Sequence, residues 1–186
     1  MNRFAVLETP IKGLRVIQRK ALGDERGFLE RIFCAEDLFS VGWVWPIAQI
    51  NHTLTKIPGT VRGMHFQHPP RAEAKLVSCL RGAVWDVAVD IRRGSPTFLK
   101  WYAEELSAAN QRALLIPPGF AHGFQTLEPD CELLYLHSAS YDPVSEGALN
   151  SCDPELAISW PKEISNISEK DSNQPMLEPS FMGVTL

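Results

Sequence analysis

The chain has 186 residues, enough to bury a real core, and its 22 acidic against 18 basic side chains leave a net charge of -4. That balance argues against general nucleic-acid affinity, so a bound anion must be held by a local cluster of cations. Apolar residues make up 45% and aromatics 9%, and no apolar run is long enough to cross a membrane as a helix. The N-terminus lacks a secretory h-region, so a reducing, cytoplasmic compartment is the expectation. Cys34, Cys79, Cys131 and Cys152 show no CxxC spacing and read as free thiols, with Cys79 and Cys131 buried in apolar runs.

In chain order, Phe4 to Leu7 and Gly13 to Gln18 read as two short strands broken at Thr9-Pro10. Asp24 to Gly27 reads as a turn feeding a strand within Phe28 to Phe33, and Cys34 to Val41 as one or two helical turns. Ala48 to Thr55 alternates, placing Gln49, Asn51, Thr53 and Thr55 on one face. Arg62 to Gln67 is a strand closed by Pro69-Pro70. Ala74 to Leu80, Gly82 to Ile91 and Phe98 to Leu106 follow, with Arg92 and Arg93 at the solvated tip of a hairpin-like connection. Glu104 and Glu105 read as surface. Asn110 to Ile116 ends at Pro117-Pro118-Gly119, and Phe124 to Leu127 pairs with Cys131 to Ser138. About ten short strands separated by Gly/Pro turns predict an all-β antiparallel barrel or sandwich. Trp160-Pro161 opens a polar tail in which Ile167 to Asp171 is a cap and short helix.

Two polar islands interrupt this β-rich pattern: Gly59 to Pro70, with Arg62, His65, Gln67 and His68, and Pro117 to Phe124, with His122. His65 has the side chain suited to proton abstraction near neutral pH. Lys75 lies in an apolar strand, where an ammonium would stabilise a developing enolate oxygen. Tyr135, in Leu133 to Leu136, could return a proton, so the three suit abstraction next to a carbonyl. Each also has a plain structural reading, since strand tyrosines pack in cores and strand lysines snorkel to water. Arg26, Arg62 and Lys170 form a candidate anion set. A metal site from His65, Gln67, His68 and His122 is the weaker reading, because alternation sends His65 and His68 to opposite faces; no metal or cofactor is expected.

Several ordered blocks carry a resemblance: Gly23 to Phe28, Val61 to Gln67, Lys75 to Val77, Asp86 to Arg92, Ser95 to Thr97 and Ile116 to Phe124. They continue with Ser145 to Gly147, Asp153-Pro154, Trp160-Pro161 and Ser168 to Asp171. Over nearly its full length the chain resembles the dTDP-4-dehydrorhamnose 3,5-epimerase family. The resemblance implies a cupin-like double-stranded β-helix, or jelly roll, with short peripheral helices. It implies one domain over the whole chain, including a C-terminal extension from near Pro161, and a homodimer in which an N-terminal strand such as Phe4 to Leu7 is exchanged. It also implies metal-free epimerisation at C3 and C5 of a dTDP-linked 4-keto-6-deoxyhexose. By the same resemblance His65 is the base, Asp171 its paired carboxylate, Lys75 the enolate's partner and Tyr135 the acid. Arg26, Gln49, Asn51, Arg62, His122, Tyr141, Glu146 and Lys170 match substrate-binding positions.

The chain departs from the family pattern at Arg31, where a carboxylate is usual and Glu30 stands adjacent, and at Ile50, Leu136, Ser140 and Ser151-Cys152. These departures keep open epimerisation at one carbon only, or action on a related nucleotide keto sugar; a non-catalytic module that binds sugar nucleotides is a separate alternative.

Overall fold

The computed structural model describes residues 3–186. Runs of alternating and β-branched residues form the strands β1 (Phe4–Glu8), β2 (Arg15–Arg19), β3 (Leu22–Asp24) and β4 (Gly27–Leu29), followed by helix α1 (Ala35–Ser40). Then come β5 (Gln49–Thr55), β6 (Thr60–Gln67), β7 (Lys75–Arg81), β8 (Ala83–Asp90), β9 (Trp101–Ser107) and β10 (Arg112–Ile116). The chain closes with β11 (Phe120–Thr126), β12 (Cys131–His137), β13 (Glu146–Ala148), β14 (Asn166–Ile167) and helix α2 (Glu169–Ser172).

The strands build two facing sheets, the expected jelly roll. One runs β1-β2-β10-β7-β12-β5; the other runs β13-β6-β11-β8-β9, with β14 added in parallel beside β6. Strand alternation sorts the apolar residues into three layers. Val77, Val84, Ala88, Leu114, Phe120, Phe124 and Leu133 fill the space between the sheets. Trp43, Leu38 and Val41 cover the outside of the first sheet against Leu76, Leu115 and Leu136. Leu149, Leu156 and Val184 cover the outside of the second against Met64, Val87 and Val89.

The tail from Trp160 is therefore structure rather than solvated coil. Gln125 bonds Lys162 through both its amide nitrogen and its amide oxygen, and Arg92 bridges to Val184. Further expectations are corrected, first the pairing of Phe124 to Leu127 with Cys131 to Ser138, since β11 and β12 lie in different sheets. Fourteen strands form among the described residues, because short pieces such as β13 and β14 carry no run long enough to read. β4 stops at Leu29, since Glu30 turns inward to bond Arg19. Strand β11 begins at Phe120, so only Pro117 to Gly119 of the second polar island is turn.

Arg92 is no solvated tip: it clamps the fully buried Asp90 carboxylate with two hydrogen bonds and lies 4.6 Å from the Phe120 ring centroid. Ser95 and Thr97 donate to the same carboxylate, so this buried charge is fully satisfied. Glu104 is likewise drawn from the surface by Tyr102 and Arg112, whereas Glu105 is exposed. Cys79 and Cys131 are buried, and all four cysteines are free.

Candidate active site

A cavity of about 270 Å³ opens between the sheets. Asn51 and Thr53 reach it from β5, Lys75 from β7, Tyr135 and His137 from β12, and His122 from β11. The first-sheet residues share a face by register, with Lys75 opposite His137 and Asn51 opposite Tyr135. Arg62 and His65 of β6 also line the cavity, although simple alternation would send residues three apart to opposite faces. A β-bulge removes the conflict. The pairing steps from His65 and His122 to Arg62 and Phe124, so three steps along β6 match two along β11. Gly63 sits at this step with φ +136°, and a Cβ there would come within 2.5 Å of Gly123 Cα. Only glycine meets both requirements.

Asp171 arrives from α2. His65 Nε2 lies 2.7 Å from its Oδ1, while Oδ2 accepts the Gly63 N–H at 3.3 Å. The Ser168 hydroxyl caps α2 by accepting the Asp171 N–H at 3.1 Å. Burial alone would raise the Asp171 carboxyl, but the His65 bond and the Gly63 amide outweigh it and hold the group below the usual carboxylate range. In the neutral ring the proton then sits on Nε2, leaving Nδ1 as the basic nitrogen.

Two more histidines are paired in the same way. His122 Nε2 lies 2.8 Å from Asp86 Oδ1. Burial pushes the Asp86 carboxyl up, opposed by His122 and then Lys75. His137 Nδ1 lies 2.9 Å from Glu73 Oε2, and Glu73 Oε1 lies 3.3 Å from the Lys75 ammonium. Burial opposes ionisation of Glu73, yet His137 and Lys75 hold its carboxyl below the ordinary range. Lys75 donates to the His65 carbonyl oxygen as well, at 3.3 Å. Tyr135 lies between the second and third imidazoles, edge-on to His122 and stacked on His137. Burial, and then the Asp86 charge, push its phenol far up, so it keeps its proton.

Of the expected binding positions, Asn51, Arg62, His122, Tyr141 and Glu146 line the cavity. Gln49 stands one bond behind, accepting the Tyr141 N–H and donating to Asn51. Lys170 holds both Glu146 oxygens at 2.7 Å. That ammonium lowers the Glu146 carboxyl, and Lys170 is raised in turn. Arg26 is elsewhere: it projects from the β3–β4 hairpin and, among the described residues, is paired only with Asp24. Glu30, adjacent to the departure at Arg31, has its side chain held by Arg19 at 2.7 Å. Ile50 points outward, exposed, and Leu136 joins the outer cluster.

Glu73, Asp86 and His137 escaped the sequence reading. The available signal was parity, since Glu73 precedes Lys75, and His137 follows Tyr135, by the strand period of two. The metal reading loses its geometry: His68 lies outside the cavity, edge-on to Phe66, and Gln67 is engaged with Arg71 and Asp142. Among the described residues no three His, Cys, Asp or Glu side chains are placed to share an ion.

A family model described as dTDP-4-dehydrorhamnose 3,5-epimerase matches residues 8–179. A dTDP-4-dehydrorhamnose 3,5-epimerase of Sinorhizobium fredii is 44% identical over 172 residues, covering 90% of this chain and 86% of that protein. A dTDP-4-dehydrorhamnose 3-epimerase of Streptomyces niveus is 38% identical over 168 residues, covering 90% and 81%. The crystal structure of a 3,5-epimerase from Legionella pneumophila in complex with dTDP-4-keto-L-rhamnose superposes with a TM-score of 0.90 at 38% identity, covering 97% of this chain and 98% of that one. The chain belongs to the dTDP-4-dehydrorhamnose 3,5-epimerase family.

Proposed function

We propose that this family member converts dTDP-4-dehydro-6-deoxy-D-glucose to dTDP-4-dehydro-L-rhamnose by inverting C3 and C5. The observation that carries the reading is the His65–Asp171 pair, at 2.7 Å, facing the same cavity as Lys75 and Tyr135. Both carbons flank the C4 ketone, whose electron withdrawal acidifies their protons. His65 removes the proton through Nδ1, and Asp171 stabilises the imidazolium that forms. The electrons move onto the C4 oxygen, where the Lys75 ammonium meets the developing enolate. Tyr135 delivers a proton to the opposite face of the carbon and is recharged from solvent, to which His65 gives up the proton it has taken. The same residues serve the second carbon after the sugar ring moves. Placement and electrostatics do the work, and no bond to the enzyme forms.

Arg62, with the Glu146–Lys170 pair at the rim, is assigned to the nucleotide diphosphate and Tyr141 to the base. Arg26 belongs to this set through a homodimer, in which the β3–β4 hairpin reaches the cavity of a second copy. Its exposed position, paired among the described residues only with Asp24, supports that assignment.

Proton NMR of dTDP-4-keto-6-deoxyglucose in deuterated buffer tests the reaction. Loss of both the C3 and C5 signals is the expected result. Loss of the C3 signal alone would establish the second reading, a 3-epimerase, which the Streptomyces niveus relative favours. Folded protein that exchanges neither proton would overturn this substrate assignment and turn the question to other nucleotides first and to the binding module second.

A further inference from the structure

We propose that Glu73 and His137 are positioning residues for Lys75, forming a carboxylate bridge that aims one N–H of the ammonium at the reacting carbonyl. The proposal rests on the epimerase reading above. Each of the three cavity histidines has its own carboxylate, but Glu73 alone among those carboxylates also bonds the lysine. Its location makes this possible. Glu73 lies two residues before Lys75, in the connection entering β7, and both line the cavity; His137 is the cross-strand partner of Lys75.

A lysine ammonium has three N–H donors on a flexible stem, so it directs one of them only when the others are engaged. Here the ammonium forms an ion pair with Glu73 Oε1 at 3.3 Å and donates to the His65 carbonyl at 3.3 Å. The third remains for a ligand in the cavity. The His65 contact also ties the ammonium to the backbone of the base, fixing their separation.

A carboxylate beside the ammonium would by itself cancel the charge that an enolate needs. His137 limits that effect. Its Nδ1 takes the other carboxylate oxygen at the shorter distance of 2.9 Å, drawing Glu73 toward the imidazole. Asn51 Nδ2, 3.4 Å from His137 Nε2, braces the far side of the ring. Asp86 is the remaining carboxylate acting on Lys75, and His122 holds it. The arrangement therefore orients the lysine while leaving its charge available to the sugar.

The test is the rate of C3 and C5 proton exchange in deuterated buffer for Glu73→Gln, His137→Leu and His137→Asn, with dTDP affinity measured alongside. Glu73→Gln should lower kcat on the order of ten- to a hundredfold, as misplacement of a catalytic group does, with KM and dTDP affinity nearly unchanged. His137→Leu should fall in the same direction. His137→Asn, whose amide nitrogen reaches the place of Nδ1, should recover most of the rate. Wild-type exchange with an unaltered kcat in Glu73→Gln would overturn this inference alone, as would a rise confined to KM. A wild type that exchanges nothing would overturn the epimerase reading beneath it. If Glu73→Gln fails to bind dTDP, the His137 pair decides: equal losses in Leu and Asn mean a packing role and sink the proposal.

Discussion

His65 and Asp171 are 106 positions apart in the chain, yet their bond is among the shorter side-chain contacts in the cavity. Two consequences of the proposed roles separate base from acid. His65→Ala should abolish exchange of both sugar protons, a loss of about two to four powers of ten for a general base. Arg62 should still hold dTDP with little change. Tyr135→Phe should reduce net inversion far more than exchange, because His65 can still remove and return a proton on its own face. NMR follows exchange and product in one sample, and equal losses in Tyr135→Phe would end the acid assignment. Burial, and then the Asp86 charge, push the phenol up, so it is protonated at neutral pH, as an acid must be before it donates. His65, Lys75 and Tyr135 were legible as polar groups set in strand-like sequence. Asp171 was not, because Ser-Glu-Lys-Asp reads as a solvated helix start, and only the docking of α2 on β6 buries its side chain to 6% exposure. Glu73 was hidden in a polar connection before β7, and its partners become neighbours only when β7 and β12 pair.

Strands were the easiest elements to read, for an alternating run has one stable way to bury its apolar face. The bulge in β6 was harder. A glycine inside a strand pattern is a known sign of one, but the sign gives no direction, and here it decides whether Arg62 joins His65. Gly63 and Gly94 allow a controlled comparison. Both have positive φ, at +136° and +76°, but a Cβ at Gly94 meets nothing within 4 Å, whereas at Gly63 it meets the backbone of β11. Gly94→Ala should cost about 1–2 kcal/mol, the penalty of the left-handed backbone alone. Gly63→Ala should cost clearly more and should also weaken dTDP binding, since the clash moves Arg62. Urea unfolding of the two variants measures the difference. Equal costs would mean that close approach of β6 and β11 is not what demands glycine.

At the scale of the whole molecule, the β3–β4 hairpin is the part this chain does not explain by itself. Its strands have three residues each, and so short a hairpin is marginal in water without a surface to cover it. Its base is fixed, because Glu30 is held at 2.7 Å by Arg19, itself buried and bonded to Ser78. Beyond that anchor it presents Phe28 at 70% and Leu29 at 69% exposure, with Arg26 at the turn. Apolar surface on a fixed support favours association, and under the proposed assembly a second copy would supply both a cover and a cavity that has Arg62 but no Arg26. Light scattering should therefore give twice the 20.8 kDa chain mass. Phe28→Glu should shift the protein toward monomer and weaken dTDP binding together, because in the proposed dimer Arg26 would leave the partner's cavity with the hairpin. A monomeric wild type would overturn the assembly. A monomeric Phe28→Glu protein with full dTDP affinity would instead remove Arg26 from the binding set, leaving the reaction assigned to His65, Lys75 and Tyr135 untouched.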